Sequence, residues 1–294
     1  MKSRISAILE RASPGDLAGP ESRERFLAAL PPWLFGIAGG NTSCVSISFE
    51  DSGEIMVFDA GSGIRELGLF MERQPQKQRK YRVFFSHFHW DHIQGLPFFN
   101  PAYDSEVSID FYSPLEKCEA ILSSQMRSPY FPVTMDSMAA KKTFHHLKGT
   151  IAFGGGVSVS YKKMNHPGAS FSYLIQDGEH RIIYATDTEL SAEDFIKNDE
   201  NIGYFRNADV IILDAQYTLG EAIEKYNWGH TAFSMGVDFA INWGIKHLVL
   251  FHHDPAYDDK KLFEILQAGR MYTERMNHRE IEITLAMEGS DIVV

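Results

Sequence analysis

Cysteine is nearly absent: only Cys44 and Cys118 occur in 294 residues, so the chain has no disulfide framework and no Cys-x-x-Cys pair for thiolate chemistry. A surplus of positive charge is missing as well. With 28 Lys and Arg against 39 Asp and Glu the formal net charge is −11, which opposes the counterion-releasing contacts that hold a long RNA or DNA. A local basic patch or bound cations can still attract a small anion. No window reaches the roughly 18 consecutive apolar residues of a membrane span, and the opening MKSRISAILERASPGD has no apolar signal core followed by a small-residue cleavage site. Short-period repeats and low-complexity tracts are lacking too. These absences point to a cytoplasmic protein with no membrane partner.

What is present is ordinary globular material, 44% hydrophobic and 23% charged, enough for one α/β domain over residues 1–294. Residues 1–36 read as an N-terminal extension of strand and loop, with SRISAIL (3–9) as a short first strand and a helix over Arg23–Leu30. CVSISF (44–49) and EIMVFDAG (54–61) read as strands joined by a turn at Asp51–Gly53. IRELGLFMER begins a helix, and YRVFFS has the apolar density of a strand buried on both faces. After about residue 150 the pattern resumes. VSVSYKKMN leads to His166, SYLIQDGEHRIIYATD forms two strands about Asp177-Gly178 and ends on Asp187, ADVIILDAQ passes through Asp214, and KHLVLFHHDP ends on His252 and His253. The two βαβ-like halves have the look of a pseudo-duplication. Each polar cluster falls where an apolar run stops, the place where open α/β sheets gather their ligands.

The densest cluster is FFSHFHWDHIQG, residues 84–95, with three histidines and an aspartate between His87 and His92. A single histidine is more often an ordinary core or surface residue than a ligand. Here, however, His87 and His89 are two apart in extended chain and point the same way, and Asp91 and His92 follow after a turn, free to face a second ion. Imidazoles with a carboxylate are the donors that zinc, manganese and iron prefer. His145, His146, His180, His247 and His278 have no such context and read as exposed or structural.

From Gly39 onward these motifs, GGNTSCVSIS, VFDAGSG, SHFHWDH, MNHPG, YATDTE and LVLFHHDP, resemble the metallo-β-lactamase fold superfamily. The resemblance implies a four-layer αββα sandwich of two mixed β-sheets flanked by helices. It also implies two divalent metal ions, zinc first, with manganese or iron as alternatives. His87, His89 and His166 would hold one ion; Asp91, His92 and His252 would hold the other; Asp187 would bridge them; and Asp59 would brace the ligands from behind. His252 is preferred to His253 because it directly ends the apolar strand.

The branch of the superfamily has to come from what surrounds the metals. Class B β-lactamases carry a cysteine where Asp187 stands, which disfavours that branch. Glyoxalase II-like thioesterases and lactonases share the ligand set and stay open as alternatives, as does a metal-stabilised sensor with no catalysis. NWGHTAFSMGVDFAINWGIKHLVLFHHD is similar to the phosphodiesterase branch, which includes RNase Z and cyclic-phosphate phosphodiesterases; there His230 would face the scissile phosphate as an acid, and Asp214 would orient it. The long tRNA-gripping arm of RNase Z has no room between His166 and Asp187. A small anionic phosphodiester or cyclic phosphate is therefore the expected substrate. A homodimer is compatible with the resemblance, and the aromatics of MRSPYFPVTMDSM (126–138) are read either as a roof that stacks on a base or as plain core packing.

Overall fold

Strands that are apolar on both faces need cover on both sides, and the chain supplies it by pressing two sheets together and lining the outside of each with helices. The computed structural model describes residues 2–34, 38–49, 54–75, 77–278 and 280–294. One sheet runs β1 (Val45–Ser48), β2 (Glu54–Phe58), β3 (Lys80–Phe84), β4 (Ser108–Ser113) and β5 (Lys141–His146), adjacent in that order. β1 is antiparallel to β2, and the remaining neighbours are parallel. The second sheet uses β6 (Ile151–Ala152), β7 (Val157–Met164), β8 (Ser170–Asp177), β9 (His180–Ala185), β10 (Val210–Asp214), β11 (His247–Phe251) and β12 (Glu282–Leu285), in spatial order β12-β11-β10-β9-β8-β7-β6. β9 to β12 are parallel, and β6 to β9 are antiparallel. The break near residue 150 thus separates one sheet from the other. The helices are α1 (Lys2–Leu9), α2 (Pro20–Ala28), α3 (Gly63–Glu72), α4 (Cys118–Gln125), α5 (Asp199–Phe205), α6 (Leu219–Glu224), α7 (Phe233–Trp243) and α8 (Asp259–Arg275).

The period-two alternation of side chains sorts the core into three slabs. Met56, Phe58, Phe84 and Tyr112 of the first sheet meet Val159, Tyr173, Ile175, Tyr184, Ile212 and Val249 of the second between the sheets. The intervening Ile55, Val57, Tyr81 and Val83 turn outward onto Ile64 of α3 and Leu122 of α4. On the far side Ile183, Ile211, Leu213, Leu248 and Leu250 lie under Phe205, Val237, Phe239 and Leu266 from α5, α7 and α8. This is the expected four-layer sandwich. Phe84 is its central plug: its ring stacks on Phe58 at 5.1 Å and on Tyr112 at 4.6 Å, and meets Tyr173 across the sheet interface at 5.5 Å.

Two expectations change. Residues 3–9 are not a strand but part of α1, because Arg4, Ala7 and Ile8 recur at helical spacing on the half-buried side, and Arg4 pairs with Asp259 of α8. In 126–138 the methionines Met126, Met135 and Met138 enter the outer core of the first sheet and the half-buried Phe131 packs on Phe98 at 5.6 Å, while the other residues, Tyr130 among them, are exposed. The Asp177-Gly178 turn is present between β8 and β9, with Gly178 at φ 57°. The turn expected at Asp51–Gly53 lies outside the described residues. Among the described residues no helix is long and apolar enough to cross a membrane.

Parallel pairing puts the ends of β2 and β3 on one edge. Two successive antiparallel steps make β7 run with β9, so β7, β9, β10 and β11 also end together. Truncating the plug should show how much the inter-sheet slab contributes. Phe84→Ala is expected to destabilise the fold by about 3–5 kcal/mol in urea unfolding, whereas Phe70→Ala on the exposed side of α3 should stay within about 0.5 kcal/mol.

Candidate metal centre

Every side chain expected as a ligand, brace or acid arrives at this edge. Asp59 follows β2, His87 follows β3, His166 follows β7, Asp187 follows β9, Asp214 closes β10 and His252 follows β11. His89 and the 3-10 turn Trp90–His92 continue from His87. Donor atoms of His87, His89, His166 and Asp187 lie within 4.8 Å of one another, and so do those of Asp91, His92, Asp187 and His252. Asp187 belongs to both groups. Its Oδ2 lies 3.6 Å from His87 Nε2 and 3.7 Å from His166 Nε2, while its Oδ1 lies 3.0 Å from His92 Nε2 and 3.1 Å from His252 Nε2. Asp91 Oδ2 faces the second group, 3.2 Å from His92 and 3.3 Å from His252. His89 Nδ1 closes the first group 3.2 Å from His166 Nε2. His253 turns away, its Nε2 3.3 Å from the Ala286 carbonyl. His145, His146, His180, His247 and His278 lie outside these clusters.

The tautomers of three rings follow from their partners. His166 Nδ1 faces the Gly229 carbonyl at 3.0 Å, an atom that only accepts, so the proton sits on Nδ1 and Nε2 is bare. His92 Nδ1 donates to Asp59 Oδ2 at 2.8 Å. The Ser86 hydroxyl donates to the same oxygen at 2.6 Å and so is left to accept from His87 Nδ1 at 3.0 Å. Tyr184 OH adds a third donor to Asp59 Oδ2 at 2.8 Å, and the Ser86 N–H satisfies Oδ1 at 2.8 Å. Asp59 thus lies behind His92 and, through Ser86, behind His87, where a brace would stand. Ser86, Tyr184 and Gly229 complete it, and sequence reasoning missed all three. Ser86 stands next to His87 and gave some signal; Tyr184 and Gly229 lie far along the chain and gave none.

The residues fit divalent cations. His87 Nε2 and His92 Nε2 are buried and without a hydrogen-bond partner, an arrangement that is costly unless something takes the lone pair. Burial and the neighbouring His92 push His87 down to about 2, keeping it the neutral imidazole a metal needs. Burial would raise Asp187, but His252 and His92 outweigh it and hold the carboxyl well below its ordinary range. The converse holds for their own protons. Burial opposes charge on His92 and His252, yet Asp187 with Asp59 holds His92 well above the ordinary value, and Asp187 with Asp91 raises His252 to about 9.

Backbone geometry serves the same end. Asp59, Asp187 and His252 all have left-handed φ angles, 61°, 47° and 56°, in residue types that tolerate that region better than most. At Gly95 an added Cβ would lie 1.9 Å from the Gly61 carbonyl oxygen, and at Gly61 it would lie 2.3 Å from that of Asp91, so the DAGSG turn and the HFHWDH turn touch backbone to backbone.

Beside the two groups stands a third, of Asp214, His230 and His252. Asp214 is fully buried; its Oδ1 accepts the N–H groups of Gln216 and Thr231, and its Oδ2 accepts His230 Nδ1 at 2.7 Å. The distance from Asp214 Oδ2 to His252 Nδ1 is 3.8 Å, so the carboxylate serves His230. The His230 ring lies parallel to His252 with centroids 5.0 Å apart. The pairing expected from the sequence is present.

A family model described as a beta-lactamase superfamily domain matches residues 55–253. Ribonuclease Z of Streptococcus pneumoniae serotype 19F (strain G54) is 25% identical over 273 residues, 76% of this chain and 87% of its own length. Among solved structures, Zn(2+)-bound PqqB of Methylobacterium extorquens superposes with a TM-score of 0.63 at 14% identity, over 88% of this chain and 98% of that one. Human short-form tRNase Z gives 0.61 at 17% identity, over 86% and 92%, and a diphosphatase from the PhnP family gives 0.59 at 18%, over 86% and 84%. At these identities the superpositions establish the fold.

Two measurements check the centre. Because the folded-state pKa of His252 is raised to about 9, its contribution to the stability of the chelator-treated protein is complete below about 6.5 and is lost as pH rises through about 9. Zinc must displace that proton, so affinity should climb across the same window, with proton release visible by calorimetry in buffers of different ionisation enthalpy; affinity independent of pH would contradict the assignment. Asp59→Asn should weaken zinc binding by about 10–100-fold, read by competition with a chromophoric chelator.

Proposed function

The chain belongs to the beta-lactamase superfamily and is a metal-dependent hydrolase of the metallo-β-lactamase fold, and from that premise we propose that it hydrolyses a small phosphodiester or cyclic phosphate. In this reading His87, His89 and His166 hold one divalent cation, Asp91, His92 and His252 a second, with Asp187 between them. Zinc is the cation we favour for five imidazoles and two carboxylates, with manganese or iron next. Cations there would acidify a water and neutralise phosphoryl oxygens.

The observation that carries the proposal is the His230–Asp214 pair set against the ligand groups. Asp214 Oδ2 accepts a hydrogen bond from His230 Nδ1 at 2.7 Å, which fixes the ring so that a proton passed to a departing oxygen leaves from Nε2. An alkoxide leaving from phosphorus needs such a proton. A thiolate does not, and this separates the reading from a thioesterase on the same ligands. The ribonuclease Z and tRNase Z likenesses support phosphodiester chemistry. For a small substrate speak the net charge of −11 and the interval between His166 and Asp187, which is spent on β8 and β9 and leaves no insertion for an arm that grips tRNA.

His230→Ala is expected to cut turnover of an unactivated diester by about 10²–10⁴ while elemental analysis shows undiminished metal. A panel of bis-p-nitrophenyl phosphate, cyclic nucleotides, a glutathione thioester and a lactone, run on zinc- and manganese-loaded protein, tests the class. Turnover confined to the thioester or the lactone would replace this reading with the acyl-hydrolase one, and inactivity on all would favour a metal-stabilised sensor.

A further inference from the structure

The loop that carries His230 is fastened by a residue the mechanism above does not use. Glu189 follows Asp187 by two positions, and its half-buried carboxylate accepts two backbone N–H groups, Asn227 on Oε1 at 3.1 Å and Gly229 on Oε2 at 3.0 Å. Charge-assisted bonds of this kind are the strong ones, and two oxygens on two amides set direction as well as distance. The post is itself rigid: the Glu189 N–H donates to the Asn165 carbonyl at 2.9 Å, and Asn165 Nδ2 donates back to the Glu189 carbonyl at 3.3 Å. On the other side of His230, the Leu190 N–H donates to Thr231 Oγ1 at 3.1 Å, and that hydroxyl donates to the Thr188 carbonyl at 2.5 Å. Residues 188–190 therefore grip the chain immediately before and after His230.

The residue between Glu189's grip and His230 also touches the ligand groups. Gly229 presents its carbonyl to His166 Nδ1, and at φ 91° it stands so close that an added Cβ would lie 2.1 Å from that nitrogen. Gly229 is thus pinned by its N–H to Glu189 and by its oxygen to His166, and these two bonds determine where the next residue begins. We infer that Glu189 is a positioning residue: by holding the Asn227 and Gly229 amides it fixes the 227–230 loop so that His230 Nε2 meets the leaving oxygen. This rests on the reading of His230 as the general acid.

The test uses full-length zinc-loaded protein and two diesters, thymidine 5′-p-nitrophenyl phosphate, whose leaving group departs without a proton, and a dinucleoside monophosphate, whose leaving group does not. Glu189→Ala should lower kcat on the dinucleoside by about 10–100-fold and change kcat on the p-nitrophenyl ester far less, because loop displacement costs the acid its geometry. Glu189→Gln, which keeps one acceptor oxygen, should fall between. Independently of activity, hydrogen exchange of the metal-free Glu189→Ala protein should rise in 226–231 and stay unchanged in β9 and β10. Equal losses on both diesters, no loss on either, or unchanged exchange in the loop would overturn the inference. His230→Ala on the same pair separates the two claims: leaving-group-dependent loss in His230→Ala without it in Glu189→Ala sinks only the role of Glu189, whereas its absence from His230→Ala sinks the general acid and Glu189's part in it together.

Discussion

The far nitrogens of His87, His92 and His166 are what much of the surrounding structure controls. A ring whose second nitrogen is left free samples two tautomers and rotates; a ring whose second nitrogen is bound to an acceptor presents one bare lone pair in one direction. Asp59 does this for His92 directly and for His87 through the Ser86 hydroxyl, and the Gly229 carbonyl does it for His166. The cost is a fully buried Asp59 carboxylate, which is tolerable because Ser86, His92 and Tyr184 all donate to it. Tyr184 comes from the second sheet and Asp59 from the first. The bracing of the centre is therefore also a polar clasp between the two sheets, beside the apolar slab built on Phe84.

Left-handed backbone recurs at the same edge. A strand delivers side chains alternately to its two faces, but a residue at its end has to turn its side chain forward, past the edge. Left-handed φ at Asp59, Asp187 and His252 achieves that turn at three strand ends, and a glycine at any of them would lose the ligand or the brace. The conformations persist because the neighbours over-determine them: Asp59 N–H is bound to the Phe84 carbonyl at 2.8 Å, and Thr186 Oγ1 donates to Asp187 Oδ1 at 2.7 Å.

How much of this was legible in the sequence depended on whether a residue's role was written in its neighbours. That the seven proposed ligand positions converge was legible, since the motifs of the family resemblance stand where apolar runs stop, and the structure brings their donor atoms within 4.8 Å of one another in two groups. The need for cover on both sides was legible in runs such as VIIL, which have no polar face, and the four-layer arrangement in the family resemblance. Roles fixed by distant partners were not. Nothing around Tyr184 distinguishes an inward core tyrosine from a donor to Asp59, and nothing in YATDTELS tells that Glu189 reaches across to amides of residues 227 and 229. The N-terminal SRISAIL failed differently. Seven residues of mixed polarity satisfy both the two-residue and the 3.6-residue period, and contact with α8 through Arg4 and Asp259, invisible in sequence, accompanies the helix.

The charge distribution connects the centre to the choice of substrate. A chain of net charge −11 is a poor receiver of anions, and the ligand groups add two ionised carboxylates to the very place where one has to bind. In the protein alone that deficit is met by protons on His92 and His252, which are stabilised by Asp187, Asp59 and Asp91. Those stabilising carboxylates are the same groups that attract a divalent cation, and a cation brings more charge than the protons it displaces. Cations there would place positive potential at the edge where β3, β9 and β11 end. On the reading proposed above, such a field would receive one phosphoryl group, while the net charge of −11 opposes a long polyanion beyond it. The proposal of a small substrate thus rests on the same carboxylates that gather the donor groups.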